Sequence, residues 1–242
     1  MTNSALRVDV VIPVLNEQAQ IASSVQALRT YLAERCPYRW QVVVVDNGST
    51  DETPAIAEWL ADEHADVSFL RLEERGRGRA LRAAWMTSQS DIVSYMDVDL
   101  STNLDSFGPL VDALAEGGYH VAIGSRLKRG ATITRQWKRE IISRAYNLLI
   151  RAFFPRRRFS DAQCGFKALT RRAADELVPL VEDQAWFFDS ELLLRAEQRG
   201  YRIFEVPVGW VEDLDSRVKV ARTAWEDVKG LARVRFNPLP KN

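Results

Sequence analysis

The sequence predicts an α/β domain in which a mixed, mostly parallel sheet is flanked by helices. Short and almost wholly apolar runs, such as residues 42–45 and 92–96, are typical of strands that helices cover on both faces. Segments with apolar residues at helical spacing lie between these runs. A chain order of strand, helix and strand makes right-handed parallel connections the default. The 242 residues are enough to bury a substantial core.

The composition excludes several classes of protein. The 33 basic and 33 acidic side chains give a formal net charge of zero, which argues against a nucleic-acid binder. Cys36 and Cys164 are far apart and lack the spacing of a zinc site. The apolar runs are too short to span a membrane. With no recognisable signal peptide, the sequence indicates a reduced, cytoplasmic setting.

The first part of the chain contains three predicted strands, at residues 8–13, 42–45 and 67–72. The first strand precedes a helix whose apolar residues recur at helical spacing, namely Ile21, Val25, Leu28 and Leu32. After the second strand an Asn-Gly pair predicts a turn, and Ser49, Thr50 or Asp51 could cap the next helix. Glu17 and Asp46 follow the first and second strands, so we expect both at the carboxyl edge of the sheet.

The apolar run at 92–96 ends abruptly at two carboxylates, Asp97 and Asp99. If the strand continues, these side chains share a face, because residues two apart in a strand point the same way. Ligands of open α/β sheets bind at this carboxyl end of the strands. Two hard oxygen ligands suit Mg²⁺ or Mn²⁺, with diphosphate oxygens and water completing the shell. The alternative is that both acids belong to the start of the next helix, with Ser101 or Thr102 as its N-cap.

A glycine-rich turn, Gly76-Arg77-Gly78-Arg79, separates the third strand from a helix that runs to about Thr87. Such a turn could bind phosphate through backbone N–H groups and guanidinium groups. It is not the dinucleotide-binding fingerprint, which follows the first strand of a domain. A solvated loop is the alternative interpretation.

A long amphipathic helix is predicted from residue 137 to residue 154, before Pro155 and three arginines at 156–158. The predicted apolar face consists of Ile141, Ile142, Ala145, Leu148, Leu149 and Phe153. An apolar face flanked by arginines is typical of a helix that lies in a membrane interface, so segment 137–158 is a candidate membrane contact. The alternative is a helix packed on the core, with a solvated basic end.

The remaining predicted elements complete one domain over residues 1–220. They are a helix at 104–114 broken near Gly108-Pro109, a strand at 119–123 and a last strand at 203–210. Pro207 cannot donate to a ladder, which predicts an edge position for the last strand. Residues 220–236 predict a weakly amphipathic helix, so we assign 221–242 to a C-terminal helix and tail.

Four motifs occur in a fixed order along the chain. They are Val-Val-Ile-Pro-Val-Leu-Asn-Glu17, Val-Val-Asp46-Asn-Gly-Ser-Thr-Asp51, Gly76-Arg-Gly-Arg-Ala-Leu81 and Asp97-Val-Asp99. In this order the chain resembles family 2 glycosyltransferases of the GT-A (Rossmann-like) fold. Within that family it is similar to the polyprenyl-phosphate (dolichyl-phosphate) glucosyl- and mannosyltransferases, over residues 8–217.

The resemblance implies a donor site for a nucleotide sugar. The residues that would contact the donor are Pro13, Leu15, Glu17, Asp46, Gly76, Arg79, Asp97, Val98, Asp99 and Arg217. Of these, Asp97 and Asp99 would hold Mg²⁺ or Mn²⁺ and the diphosphate. Two positions depart from the family pattern. Ser101 stands where mannosyl members often carry a glutamine, and Asn47 stands where many members have a second acid.

The resemblance also implies an acceptor site. The candidate catalytic residues are Asp99, Asp161, Asp189, Arg126 and Arg139. Arg126 and Arg139 match arginines that hold the phosphate of the acceptor lipid. Asp161 would either face the site or form a salt bridge with a neighbouring arginine. Asp189 would either lie near the acceptor or cap a helix that begins there.

The implied reaction is an inverting, metal-dependent transfer of a hexose to a polyprenyl or dolichyl phosphate. UDP-glucose is the favoured donor, and GDP-mannose is the alternative. A lipid phosphate is largely dianionic at pH 7, so it needs no strong base. We expect a monotopic enzyme that associates peripherally with the cytoplasmic face of a membrane. Its candidate partners are a second copy of the chain or a separate membrane protein.

Two other functions are compatible with the sequence. A soluble family 2 glycosyltransferase that acts on a saccharide or protein hydroxyl would need a true base, for which Asp189 is the candidate. A non-catalytic subunit that binds a sugar nucleotide within a membrane complex is the second. The intact pair of Asp97 and Asp99 argues against a non-catalytic role.

Overall fold

The structure, a computed structural model, describes residues 5–134, 137–211, 220–237 and 239, and only the backbone of 137–142 and 220–223. The first half of the chain comprises β1 (Arg7–Val14), α1 (Ile21–Arg35), β2 (Arg39–Asn47), α2 (Thr53–Glu63), β3 (Val67–Leu72), α3 (Arg77–Thr87) and β4 (Ile92–Met96). The second half comprises α4 (Phe107–Ala115), β5 (Val121–Ser125), β6 (Thr132–Thr134), α5 (Trp137–Phe153), β7 (Phe166–Thr170), α6 (Arg171–Leu177), α7 (Phe188–Gln198), β8 (Ile203–Pro207), β9 (Gly209–Val211) and α8 (Val220–Phe236).

A seven-stranded sheet with the order β3-β2-β1-β4-β7-β5-β8 forms the centre of the fold. The pairs β3-β2, β2-β1, β1-β4 and β5-β8 are parallel, which confirms the predicted mostly parallel α/β sheet. β8 lies at an edge and ends at Pro207, as predicted. β6 and β9 form a separate two-stranded sheet. β7 is not among the predicted strands, and it runs antiparallel to both of its neighbours.

The sheet carries an apolar layer on each face. On one face α1, α2 and α4 pack over residues that include Val10 and Ile12. On the other face α3, α6 and α7 pack over residues that include Val11 and Tyr95. Side chains alternate along a strand, so Val10 and Val11 enter opposite layers. With both faces covered, the carboxyl edge of the parallel strands is the part of the sheet that loops can shape into a site.

Two predictions about helix starts are wrong in detail. The predicted break near Gly108-Pro109 is absent from this described part of the chain, where a 3-10 turn at Leu104–Ser106 leads directly into α4. Pro109 fits in the first turn of α4, where a backbone N–H would have no helical partner. The N-cap of α2 is Glu52 and makes no side-chain cap bond. Asp51 instead accepts the Thr53 N–H at 3.0 Å.

The predicted apolar face of α5 is only partly the packed one. The helix buries Ser143, Tyr146, Asn147 and Ile150, which recur at helical spacing. Leu149 and Phe153 are half-buried against the core, whereas Ala145 is exposed and Leu148 is 68% exposed. The side chains of Ile141 and Ile142 lie outside the described residues. α5 therefore packs on the domain and still presents apolar surface.

The C-terminal helix α8 packs on the same domain. Leu231 and Val234 are fully buried, and α8 contacts α5 and α7. α8 is therefore packed against the rest of the described domain. No helix within the described ranges is long and apolar enough to cross a membrane.

Candidate active site

Asp97 and Asp99 lie in a tight turn immediately after β4. The Leu100 N–H donates to the Asp97 carbonyl oxygen at 3.1 Å, and Leu100 has a positive φ of 48°. The strand thus ends at Met96. The prediction that the two acids share a face because the strand continues through them is therefore wrong. The Asp99 carboxylate accepts the Ser101 N–H at 2.9 Å. Both acids are half-buried at the carboxyl edge of the sheet, where the prediction put them.

Arg77 places a positive charge beside this turn. Its Nη2 lies 2.5 Å from Asp97 Oδ1, and its Nε lies 3.7 Å from Asp189 Oδ2. The guanidinium carbon is 5.2 Å from the ring centroids of both Tyr95 and Trp186. Burial alone would lower the pKa of Arg77, but Asp97, Tyr95 and Asp189 raise it above its ordinary value. Arg77 therefore stays charged in a largely buried position.

Asp189 is held by three side chains from different elements. Lys167 on β7 places its Nζ 2.9 Å from Asp189 Oδ1, the Tyr95 hydroxyl donates to the same oxygen, and Arg77 approaches from α3. Lys167 is fully buried and Asp189 is 5% exposed. The predicted N-cap role is wrong, because the Phe188 N–H at the start of α7 donates to Asp183 instead.

Three residues of this cluster, Arg77, Tyr95 and Lys167, were not among the predicted site residues. Arg77 belongs to the glycine-rich turn, so this motif contained a signal for it. Lys167 follows Asp161 by six residues and belongs to none of the four motifs. Tyr95 lies within an apolar run that reads only as buried strand. Its hydroxyl becomes relevant once β7 brings Lys167 opposite to it in the sheet.

The glycine-rich turn does not offer its backbone to a phosphate in the predicted way. The Gly76 N–H donates to Asn47 Oδ1 at 2.7 Å, and the Gly78 and Arg79 N–H groups donate to main-chain carbonyls at 3.2 and 3.1 Å. The Arg79 guanidinium bonds Glu74 at 2.7 Å and the carbonyl of Arg75 at 3.0 Å. Arg77, not Arg79, is thus the arginine that the turn directs to Asp97.

The predicted base and ribose contacts lie at the carboxyl ends of β1 and β2 and in the loop after β1. Pro13, on β1, is half-buried, as are Leu15 and Glu17 in the loop that follows it. The Glu17 N–H donates to Thr53 Oγ1 at 2.8 Å. Asp46 is fully buried, and its two carboxylate oxygens accept the Ser49 N–H at 3.2 and 3.3 Å. Asp46 therefore fixes the turn that follows β2.

Val98, a further predicted donor contact, lies within the acidic turn. It is 7% exposed and packs against the core, so its side chain anchors the turn to the domain. Arg217 lies outside the described residues.

Arg126 and Asp161 form a bidentate ion pair. Arg126 Nε and Nη2 lie 2.8 and 2.9 Å from Asp161 Oδ2 and Oδ1, and the Arg126 N–H donates to Oδ2 at 3.1 Å. Burial alone would raise the pKa of Asp161, but Arg126 lowers it below its ordinary value. Asp161 is fully buried, so of its two predicted roles the structure shows the salt bridge. The side chain of Arg139 lies outside the described residues.

The acidic turn suits a divalent cation that keeps ligands from solvent and substrate. Gly165, immediately before β7, lies so close to Asp97 that a Cβ built on it would be 1.8 Å from Asp97 Oδ2. This close contact restricts the position of the Asp97 carboxylate. Among the described residues, no group of three or more His, Cys, Asp or Glu could hold a metal ion. Two carboxylates are the usual protein contribution to a Mg²⁺ site completed by phosphate and water. The donor set therefore fits Mg²⁺ or Mn²⁺ bound together with a diphosphate.

Residues 9–178 match the family model described as glycosyl transferase family 2. The protein class that the fold and this match define is therefore a glycosyltransferase, and the chain belongs to glycosyltransferase family 2. The structure is similar to that of the glucosyl-3-phosphoglycerate synthase from Mycobacterium tuberculosis in complex with Mn²⁺, UDP-glucose and phosphoglyceric acid. Its TM-score is 0.72 at 22% identity over 97% of this chain and 81% of that chain. This similarity confirms the GT-A fold.

Within the family, the sequence is similar to dolichyl-phosphate β-glucosyltransferases. The enzyme of that name from Drosophila melanogaster is 31% identical over 222 residues, which cover 86% of this chain and 68% of the relative. Glycosyltransferase AglD from Haloferax volcanii is 38% identical over 223 residues, which cover 91% of this chain and 36% of the relative. This chain thus spans about a third of AglD and about two thirds of the insect enzyme.

Proposed function

We propose that this chain transfers glucose from UDP-glucose to a polyprenyl phosphate such as dolichyl phosphate, with inversion at the anomeric carbon. The names of several relatives support both the sugar and the acceptor, because these relatives are dolichyl-phosphate β-glucosyltransferases. GDP-mannose is the alternative donor. The acidic turn at Asp97 and Asp99 supports catalysis over a role in binding alone.

The observation that carries the acceptor class is the environment of Asp189. Lys167 and Arg77 neutralise this buried carboxylate, and the Tyr95 hydroxyl occupies one of its oxygens. Both Asp189 carboxylate oxygens thus face groups of the protein itself, and only 5% of the residue is exposed. Asp189 is therefore placed to orient its neighbours, not to reach the hydroxyl of an acceptor. A phosphate acceptor, already dianionic at pH 7, removes the need for a general base.

The positive charges of the site suit a reaction between two anions, the acceptor phosphate and the sugar nucleotide. Asp97 and Asp99 would hold Mg²⁺ or Mn²⁺, which supplies positive charge to the leaving diphosphate. Arg77 fixes Asp97 and adds a second positive charge on the donor side. Arg126, whose Nε and Nη2 are held by Asp161, would bind the acceptor phosphate, with Arg139 as its partner in that role. A single in-line displacement inverts the anomeric centre and yields a β-linked product from an α-linked donor.

The acceptor lipid requires a membrane surface close to this site, and α5 supports that arrangement. Along α5, exposed Leu148 stands four residues after Arg144 and three before Arg151, both exposed, and Arg156 beyond the helix is exposed as well. Apolar side chains bordered by cations are typical of helices that lie on anionic membranes. We therefore propose peripheral association with the cytoplasmic face of a membrane through segment 137–158.

Transfer assays with matched lipids test the proposal. The protein is incubated with UDP-glucose or GDP-mannose, Mn²⁺, and either dolichyl phosphate or dolichol, which differ only in the phosphate. We expect glucosyl transfer to dolichyl phosphate, none to dolichol, and a β-linkage by NMR. Transfer to dolichol or to a saccharide would favour the hydroxyl-directed alternative. Donor binding with no transfer to any acceptor would favour the non-catalytic alternative.

A further inference from the structure

The loop before α7 caps the start of α3. We call residues 182–187 the capping loop. Its carbonyl oxygens at Gln184 and Ala185 accept the N–H groups of Arg79 and Gly78 at 3.1 and 3.2 Å. These N–H groups belong to the first turn of α3, where backbone N–H groups have no carbonyl acceptor within the helix itself. The capping loop therefore determines the direction in which α3 begins.

The space between the capping loop and α3 is too small for a methyl group. A Cβ on Gly76 would lie 2.4 Å from the Gln184 carbonyl oxygen, and one on Gly78 would lie 2.6 Å from Phe188 Cβ. Arg77 stands between these two glycines. Trp186 of the capping loop places its ring 5.2 Å from the guanidinium carbon of Arg77. A shift of the loop would consequently move Arg77 as well.

Asp183 fixes the shape of the capping loop. One of its carboxylate oxygens, Oδ1, accepts the N–H groups of Ala185 at 2.7 Å and of Phe188 at 3.1 Å. Glu191 on α7 anchors the other end of the loop, because its Oε2 accepts the N–H groups of Glu182 and Asp183 at 3.2 and 3.0 Å. Hydrogen bonds thus connect Asp183 to the backbone of the capping loop, and the backbone of the loop to the first turn of α3.

We propose that Asp183 is a positioning residue that aligns Arg77 with Asp97 through the capping loop. The inference rests on the role proposed above for Arg77 on the donor side. Asp183 itself touches neither Asp97 nor Asp189 among the described contacts, so its effect has to pass through Arg77. Misalignment of Arg77 would weaken the binding of the nucleotide diphosphate and its metal, whatever the acceptor is.

The test compares Asp183→Ala with a matched loss of a helix cap elsewhere. Thr170→Ala removes the cap of α6, where Thr170 Oγ1 accepts the Ala173 N–H, away from Arg77. The measured quantity is the Kd of UDP, and in parallel of GDP, in the presence of Mn²⁺. We expect Asp183→Ala to weaken binding roughly 10- to 100-fold, as the loss of a supporting residue around a metal site does. We expect Thr170→Ala to leave the Kd unchanged and Asp183→Asn, which keeps an acceptor oxygen, to restore most of the affinity.

A double-mutant cycle with Arg77→Gln separates positioning from a general structural effect. If Asp183 acts through Arg77, Asp183→Ala will change the Kd less than about 2-fold in the Arg77→Gln background, because coupled residues are not additive. Hydrogen exchange of the Gly78 and Arg79 amides should also accelerate in Asp183→Ala, since the loop carbonyls no longer hold these two N–H groups. Additive effects on the Kd, or unchanged exchange at residues 78 and 79, would overturn the proposal.

The outcome does not depend on the identity of the acceptor. A wild type that binds UDP with Mn²⁺ but transfers nothing to dolichyl phosphate would contradict the proposed function and leave this comparison intact. A wild type that binds neither nucleotide would overturn the role of Arg77, and with it the inference about Asp183.

Discussion

The charged side chains of the site are paired with one another before any substrate arrives. Arg77 pairs with Asp97, Lys167 with Asp189, and Arg126 with Asp161. Buried charges require such partners, and removing one member of a buried pair costs roughly 3–5 kcal/mol. Truncation to alanine would therefore mix loss of function with loss of stability. Conservative substitutions are the informative ones at this site.

Asp99 is the better probe of the metal, because Asp97 also holds Arg77. We expect Asp99→Asn to abolish the increase in nucleotide affinity that Mn²⁺ produces, since a neutral amide is a poorer ligand for a hard cation. Calorimetric titration of UDP with and without Mn²⁺ measures this directly. Asp105→Asn, the same change at an exposed position nearby, is the control and should behave as wild type. An Asp99→Asn variant with normal Mn²⁺-dependent turnover would contradict the assignment.

Arg126 tests the acceptor side of the site. Arg126→Lys keeps the charge beside Asp161 but loses the bidentate geometry. Charge-assisted hydrogen bonds are worth about 1.5–3 kcal/mol, so we expect kcat/KM for dolichyl phosphate to fall roughly 10- to 100-fold. The KM for UDP-glucose should stay constant.

The matched control for Arg126 is Arg29→Lys, in the Arg29–Asp66 pair remote from the site. It should change neither parameter. An equal loss of donor affinity in Arg126→Lys would move Arg126 to the diphosphate side.

At the scale of elements, α5 has a packed face and an exposed one. Tyr146 and Ile150 anchor the helix to the core, and Leu148 points outward. Of the three arginines that follow the helix, Arg157 is partly structural, because its Nη2 donates to the Asn147 carbonyl at 2.8 Å. Arg156 and Arg158 are exposed. The basic surface available to a membrane therefore differs from the three consecutive arginines of the sequence.

We expect α5 to dock the protein reversibly on anionic vesicles. Each basic residue near such a surface contributes about 1 kcal/mol, and salt screens the attraction. In co-sedimentation at low salt, wild type should pellet with phosphatidylglycerol vesicles, and an Arg151/Arg156/Arg158→Ser variant should bind far less. An Arg35/Arg39/Arg71→Ser variant has the same net charge, with its changes at other exposed positions, and should bind like wild type. If wild type stays in the supernatant, α5 is no membrane contact.

At the scale of the whole molecule, α8 closes the domain over α7 and α5. Arg233 Nη2 lies 2.5 Å from Glu191 Oε2, and Gln198 donates to the Val234 carbonyl at 3.4 Å. The same helix buries Asp227, which is 3% exposed. Burial, followed by the charges of Asp183 and Glu226, raises the pKa of Asp227 from 3.8 to about 7.

A raised carboxyl pKa makes stability depend on pH in a defined direction. Between pH 3.8 and about 7 the native state holds the Asp227 proton that the unfolded chain has lost, so this residue costs stability as the pH rises through that window. We expect Asp227→Asn to raise Tm by several degrees at pH 8 and to change it little near pH 4. Each kcal/mol shifts Tm by about 2–4 °C in a domain of this size.

Thermal unfolding of Asp227→Asn at a series of pH values measures the effect. Asp62→Asn, at an exposed position of α2, is the control and should show no difference that depends on pH. A constant difference between Asp227→Asn and wild type from pH 4 to pH 8 would contradict the raised pKa.

The sequence by itself determined the elements whose signals are local. β3 and β4 begin and end at the predicted residues, and α8 occupies the predicted segment 220–236. Apolar runs and helical periodicity report burial, and burial decides these elements. The acidic turn at the end of β4 was located for the same reason, because the end of an apolar strand in an α/β sheet is a ligand edge. Family membership followed from motifs whose order is also written along the chain.

Only the tertiary structure decided which side chains meet. β7 reverses direction between β4 and β5, and this insertion brings Lys167 to Tyr95 and Asp189. The carbonyl oxygens of the capping loop accept N–H groups from the first turn of α3. Arg77, not Arg79, is the arginine that pairs with Asp97. Arg126 and Asp161 are 35 residues apart, and nothing local indicates that one neutralises the other. Such pairings depend on contacts between distant segments, whereas patterns along a chain report only the immediate environment of each residue.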